Sequence, residues 1–175
     1  MDNFLVRRAK PDDAYWINFV NVYTWSSAYK WLIPGKVLET RINTIEERTE
    51  KTREFIENGK IYLVAENLET NEIIWMLSYW PSRNEEYPNS GEINAIYVLP
   101  EYQKLGIGKK LFIAWINELI KLWYDSMIIN VLEWNNAINF YKKYGGGIIG
   151  ERYDQFGKAM LKEFILLFED IKSIK

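Results

Sequence analysis

Residues 92 to 109 run Glu92-Ile93-Asn94-Ala95-Ile96-Tyr97-Val98-Leu99-Pro100-Glu101-Tyr102-Gln103-Lys104-Leu105-Gly106-Ile107-Gly108-Lys109. A strand enters a short loop, and two glycines then stand at the mouth of a long helix. A helix N-terminus presents unpaired N–H groups and a partial positive charge. Glycine, lacking Cβ, lets an anion approach that backbone closely. The pattern is suited to a phosphate or pyrophosphate, and Lys104, Lys109 and Lys110 add positive charge around it. Two better-known phosphate motifs fit poorly. A P-loop needs a glycine five residues before its Gly-Lys pair and Ser or Thr after it, but Gln103 and Lys110 occupy those places. A dinucleotide fingerprint needs a third glycine, where this chain has Leu111. A bare Gly-x-Gly also serves simply to begin a helix, and another nucleotide-binding fold is a rival reading.

Composition limits the remaining chemistry. The 175 residues contain no cysteine and no histidine. Disulfide frameworks, Cys/His zinc sites and Cys- or His-based triads are therefore excluded. Catalysis must use Asp, Glu, Tyr, Lys, Ser, Thr or backbone groups, and no metal is expected. With 22 basic and 24 acidic residues the formal net charge is -2, which argues against a nucleic-acid partner. No apolar run approaches the roughly 18 residues of a membrane span. The N-terminus carries charges where a signal peptide would be apolar. The expectation is a soluble, cytoplasmic protein without membrane association.

Stepping outward from residues 92–109, the chain predicts an α/β domain of mixed order, β-α-α-β-β-β-α-β-α-β-β. Leu5 to Ala9 reads as a strand. Pro11-Asp12-Asp13 opens a helix whose Trp16, Phe19, Val20 and Tyr23 repeat as on one face. Trp31-Leu32-Ile33-Pro34-Gly35 is a break, and a polar helix follows from about Thr44 to Asn58. Ile61–Glu66 and Ile73–Trp80 form an antiparallel hairpin across Glu69-Thr70-Asn71-Glu72. After the strand Glu92–Val98 comes a helix from Leu105 to Trp123, with Leu111, Trp115, Leu119 and Leu122 repeating. Met127–Leu132 is a strand buried on both faces. Asn136–Tyr144 is a short helix broken by Gly145-Gly146-Gly147. Ile148–Tyr153 and Met160–Phe168 pair as the last hairpin. One mixed sheet with helices on both faces follows.

Gln103-x-x-Gly106-x-Gly108, placed after the strand through Val98, resembles the acyl-CoA signature of the GNAT superfamily of N-acetyltransferases. The segment Glu133-Trp134-Asn135-Asn136-Ala137-Ile138-Asn139-Phe140-Tyr141-Lys142-Lys143-Tyr144-Gly145-Gly146 is similar to that family's second motif. Arg7-Arg8-Ala9 before Asp12-Asp13-Ala14, Trp25 and Tyr29 before Pro34, and Ile149-Gly150-Glu151-Arg152 before Gly157-Lys158 extend the likeness over nearly the whole chain. The resemblance implies one N-acetyltransferase domain over residues 1–175, with a mixed, mostly antiparallel sheet. It also implies a splayed parallel strand pair, ending at Val98 and Leu132, that binds coenzyme A. Three departures stand out. Trp75 replaces a frequent glycine of the middle strand and could reshape the acceptor side. The Asn-x-x-Ala spacing is one residue short, so Asn135 is the pantetheine asparagine, with Asn136 as the alternative. Gly145-Gly146-Gly147 replaces a Gly-Phe pair, which would loosen a packing contact.

Residue by residue, the resemblance gives acetyl-CoA as cosubstrate. Ile96, Tyr97 and Val98 would meet the pantetheine arm. Gln103, Lys104, Leu105, Gly106, Ile107, Gly108 and Lys109 would hold the pyrophosphate. Asn135 and Asn139 would lie on the coenzyme side. The reaction is direct acyl transfer to a primary amine of a small molecule or peptide. Freeing such an amine of its proton at pH 7 costs about 4–5 kcal/mol for a pKa near 10.4, so a base or water chain is required. Glu92 is the candidate base, directly if burial raises its pKa, otherwise through water. Tyr141 would protonate the leaving thiolate, and the Val98 N–H would donate to the oxyanion. Trp25, Tyr29 and Trp80 are the candidate acceptor contacts, and the acidic balance mildly favours a cationic acceptor. A homodimer is common in the family. Each pick also has a plainer reading: Tyr141 as a packing residue, Glu92 as a strand-end charge, Asn135 as a helix cap, Lys109 and Lys110 as solvated lysines. A non-catalytic acyl-CoA sensor is the rival that would keep the cradle and lose turnover.

Overall fold

The structure is a computed structural model that describes residues 3–103 and 106–175. Among these are seven strands: β1 (Phe4–Arg8), β2 (Tyr62–Asn67), β3 (Ile73–Pro81), β4 (Gly91–Val98), β5 (Met127–Leu132), β6 (Gly147–Phe156) and β7 (Ala159–Phe168). Five helices accompany them: α1 (Ala14–Ala28), α2 (Gly35–Asn43), α3 (Ile45–Glu57), α4 (Ile107–Lys121) and α5 (Ala137–Lys143). The strands form one mixed sheet in the order β1-β2-β3-β4-β5-β7-β6. The expected mixed α/β architecture is therefore present. β4 and β5 run parallel, with Gly91, Glu92 and Ile93 opposite Met127, Ile128 and Ile129. β5 also pairs antiparallel with β7 from Met127–Phe168 to Leu132–Glu163. Paired on both edges and covered on both faces, β5 reads as an almost unbroken apolar run.

Two expectations are corrected. α2 adds a third helix before β2 where the sequence predicted two. Its Gly35, Val37, Thr40 and Ile42 are weak helix formers, so tertiary contact with α1 supplies what propensity lacks. The face of α1 is also different. Trp16 and Tyr23 are 38% and 47% exposed, and the buried stripe is Ala14, Ile17, Val20, Asn21, Thr24 and Trp25. Tyr15, Trp16, Phe19 and Tyr23 instead stack on one another along the outer side of the helix. Spacing alone cannot tell a core stripe from an aromatic one on the surface.

By its contacts the chain divides into two compact units: residues up to Ser78 with Ala95–Leu111, and Tyr79–Asn94 with Phe112–Lys175. In the first unit, the β1–β2 register places Phe4 and Val6 with Ala65 on one face, and Arg7 with Val64 on the other. Lys110 of α4 lies over the Phe4 ring. On the opposite face Arg7 grips Asp13 and Glu66, and Asn18 of α1 bonds Thr52 of α3. Helices thus cover both faces. Trp75 is 0% exposed and stands opposite Ala65. The small partner leaves room for the indole, whose Nε1 has no hydrogen-bond partner.

In the second unit, Phe112 of α4 packs against Phe140, Tyr141, Tyr144 and Phe168. The triple glycine does not loosen this packing. Gly145 takes φ +96° to end α5, where glycine is the favoured residue. A methyl group on Gly146 would sit 2.8 Å from Phe168 Cζ and 3.0 Å from the Tyr141 carbonyl oxygen. Gly146→Ala is expected to lower stability by about 1–3 kcal/mol, read as a fall in the midpoint of urea unfolding. An unchanged midpoint would show that the Phe168 ring yields freely.

Candidate active site

The first unit builds the end of β4 and the start of α4. Val98, at the end of β4, offers its carbonyl to Gln103 Nε2 at 2.8 Å, with Thr24 Oγ1 of α1 at 3.4 Å. The short turn Pro100–Tyr102 closes through Tyr102 N–H and Gln103 N–H, which donate back to Leu99 and Pro100. Tyr102 also meets Asn67 of β2. The chain then reaches Gly106 at φ +77°, a conformation that disfavours any side chain with Cβ. A Cβ on either Gly106 or Gly108 would meet nothing within 4 Å. Neither glycine is therefore explained by protein packing, and the open space lies at the N-terminus of a 15-residue helix. This is what a phosphate-binding backbone requires, and the cradle fits the phosphates of a coenzyme. Lys109 is exposed beside it. Lys104 and Leu105 lie outside the described residues.

In the same unit Trp25 and Tyr29 are buried and meet edge to face, with ring centroids 5.2 Å apart, and Tyr97 of β4 lies 6.5 Å from Trp25. Two expected acceptor contacts and one expected coenzyme contact thus form one aromatic cluster. The cluster also holds a residue that the sequence did not flag. Arg41 of α2 places its guanidinium 3.5 Å from the centre of the Trp25 ring.

The second unit carries Glu92, Tyr141, Asn135, Asn139 and Trp80. Glu92 is 2% exposed. Its carboxylate accepts from the Arg83 backbone N–H, from Arg83 Nε and Nη2, and from Asn130 Nδ2. Burial pushes its pKa up, but the Arg83 bonds outweigh burial and hold the carboxyl below the usual range. A direct base needs the opposite shift. Arg83 and Asn130 carry no sequence signal for this role: one lies nine residues away across a loop, the other on a different strand. Beside them, Arg152 of β6 pairs with Glu163 of β7 at 2.7 Å.

Tyr141 is 5% exposed, on the face of α5 that meets Phe112. Asn135 Oδ1 accepts from the Ala137 N–H at 2.9 Å, an Asx turn one residue before Asn136, which caps α5 in place of Asn135. Asn139 is exposed on α5, and Trp80 is half-buried on β3. Among the described residues no helix is long and apolar enough to cross a membrane.

Comparison with known proteins then identifies the fold and the family. The model of the acetyltransferase (GNAT) domain matches residues 57–145. A Bacillus subtilis (strain 168) protein, the uncharacterized N-acetyltransferase YuaI, is 31% identical over 170 residues, covering 97% of this chain and 95% of its own. The PaiA N-acetyltransferase of Thermoplasma acidophilum, solved with coenzyme A, superposes with a TM-score of 0.73 at 19% identity, over 95% of this chain and 98% of that one. The Salmonella typhimurium yncA protein, solved with acetyl-CoA, gives 0.66 at 17% identity, over 96% and 94%. At such identities the structural matches speak for the fold, while the family model and the Bacillus relative carry the assignment. With the glycine-bearing start of α4 lying beyond β4 as the acyl-CoA signature requires, the chain belongs to the GNAT family of acetyl-CoA-dependent acyltransferases.

Proposed function

We propose that this chain acts as a single catalytic domain that transfers an acetyl group from acetyl-CoA to a primary amine of a small molecule or peptide. One observation carries the reading: Gly106 and Gly108 leave open backbone at the start of α4, directly beyond the end of β4. The coenzyme A and acetyl-CoA held by the two structural relatives support the choice of cosubstrate. Acetyl-CoA supplies the activated acyl carbon. Gln103, Gly106, Ile107, Gly108 and Lys109, with Lys104 and Leu105, hold its phosphates. Ile96, Tyr97 and Val98 line the pantetheine arm, with Asn135 and Asn139 as further contacts. Trp25, Tyr29 and Trp80 shape the acceptor side.

In the transfer a C–N bond forms and the C–S bond breaks. The amine gives up one proton to water, the departing sulfur takes one from Tyr141, and water returns a proton to the Tyr141 oxygen. A tyrosine hydroxyl with a reference pKa near 10 is protonated at pH 7 and can donate. Glu92, kept ionised by Arg83, is a positioning carboxylate, and the amine proton leaves through water. The products are the N-acetyl amine and free coenzyme A.

The test is thiol release from acetyl-CoA against a panel of amines. With no cysteine in the chain, a thiol-reactive dye sees only released coenzyme A. Amine-dependent release is the expected result. Binding of acetyl-CoA with no release from any amine would leave the sensor reading in its place. Preferential binding of NAD or ATP would overturn the coenzyme assignment.

A further inference from the structure

Two arginines of the first unit lie inward on adjacent helices, and among the described residues neither forms a salt bridge to a carboxylate. Arg41 of α2 is flanked by the Trp25 ring and donates to Asn21 Oδ1 at 3.2 Å. Arg48 of α3 has a buried Nε with no hydrogen-bond partner. Burial first, and then the charge of Arg48, bring Arg41 down to about 10. Arg48 is also lowered by burial, which outweighs the opposing influence of Tyr62, Tyr97 and Glu47. Two carboxylates of α3 bond other cations: Glu47, whose charge also reaches Arg48, bonds Lys51, and Glu50 bonds Arg53. Burying two like charges together is costly unless a counter-charge arrives. Planar guanidinium forks suit the oxygens of a carboxylate or phosphate.

The position indicates which substrate supplies that anion. Tyr62 faces α3, where it bonds Thr52, on the same side of β2 as Val64. The first turns of α4 cover the other face, where Lys110 meets Phe4. The open glycines of α4 already provide for the coenzyme phosphates, so a second anion site across the sheet is free for the other substrate.

We propose that Arg41 and Arg48, with Trp25 and Tyr97 beside them, form an anion subsite that holds a carboxylate or phosphate of the amine acceptor. The proposal rests on the acetyltransferase reading and refines it. It departs from the cationic acceptor that the overall charge favours, because a local pair of inward-turned guanidinium groups outweighs a distributed net charge of -2.

Two measurements on the full chain test it. In the first, coenzyme A release is compared for matched amines: lysine against cadaverine, and phosphoethanolamine against ethanolamine. At least one member carrying the carboxylate or phosphate is expected to exceed its partner lacking that group by tenfold or more in kcat/KM, and the favoured pair distinguishes carboxylate from phosphate. Arg41→Gln and Arg48→Gln should abolish that preference through the acceptor KM, with KM for acetyl-CoA unchanged. Arg48→Lys, which keeps the charge, should retain part of it. Equal rates within both pairs would overturn the proposal. So would a rise in KM for acetyl-CoA alone, since the arginines would then serve the coenzyme.

The second measurement needs no turnover. Inorganic phosphate or acetate should raise the melting temperature of the native chain above that in sodium chloride of equal ionic strength, and Arg48→Gln should remove the difference. If no amine supports release yet this anion effect is present, the transfer reading fails and the subsite stands. If neither anion raises the melting temperature, the subsite fails whatever the transfer assay shows.

Discussion

Tyr141→Phe is expected to lower kcat by about a hundredfold or more, the usual worth of a positioned acid, with KM for acetyl-CoA and the melting temperature nearly unchanged. The separation follows from where the residue sits. Its ring is buried against Phe112 beside Phe140, and phenylalanine preserves that shape. Its backbone carbonyl accepts from Tyr144 and Gly146 to close the end of α5, which the substitution does not touch. Only the hydroxyl is lost, and with it the proton for the departing sulfur. Because that proton is needed only as the C–S bond breaks, the loss falls on kcat rather than on ground-state binding. A thioester with a more acidic leaving thiol should recover part of the lost rate. If kcat is unchanged and the fold intact, Tyr141 is a packing residue.

Glu92→Leu is expected to lower stability by about 3 kcal/mol, or roughly 6–12 °C in melting temperature for a chain of this size. The carboxylate accepts four hydrogen bonds from Arg83 and Asn130, and leucine leaves those donors unanswered. The figure sits at the low end for a buried pair because the Arg83 side chain is 56% exposed and can hydrate when released. Glu92→Leu with Arg83→Met should recover much of the loss, since an apolar pair of similar volume often replaces an ion pair at little cost.

The pH dependence carries a definite sign. Burial raises the Glu92 pKa, but the Arg83 bonds lower it further, so the folded value lies below the unfolded reference near 4.3. The contribution to stability is complete above that reference and disappears as pH falls through the folded value. Asp13 behaves alike: burial raises it, and the bonds from Arg7 and the Lys10 backbone bring it below its usual value. Glu92→Gln should therefore flatten the fall in melting temperature below about pH 4. In kinetics, the acid limb of kcat/KM should follow the pKa of the acceptor amine and shift when the amine is changed. A limb that stays fixed across amines and vanishes in Glu92→Gln would make Glu92 a direct base.

Local chemistry sufficed for much of this protein. Met127–Leu132 is an apolar run broken only by Asn130, and it is β5. Leu111, Trp115 and Leu119 repeat at helical spacing, and all three are buried along α4. Turn residues fixed the β2–β3 hairpin, where Asn71 adopts φ +59°, and Gly106 and Gly108 marked the open helix start because only a backbone without Cβ leaves that space. Such features depend on residues a few positions apart, so they are written in the order of the chain. Other features depend on what the fold brings alongside. Whether Trp16 or Ile17 of α1 faces inward is settled by the sheet that receives the helix, not by a spacing both satisfy. α2 exists because α1 packs on it, against weak local propensity. Glu92 is a clamped carboxylate with its pKa held below the usual range because a loop returns Arg83 to it and β5 presents Asn130. Arg41 and Arg48 are two ordinary surface-type residues in the sequence, and they become a pair of half-buried guanidinium groups only when α2 and α3 turn them inward toward Trp25, Tyr62 and Tyr97. Burial and the identity of a charge's neighbours are properties of the assembled fold, and they set both the pKa values and the ligand preferences.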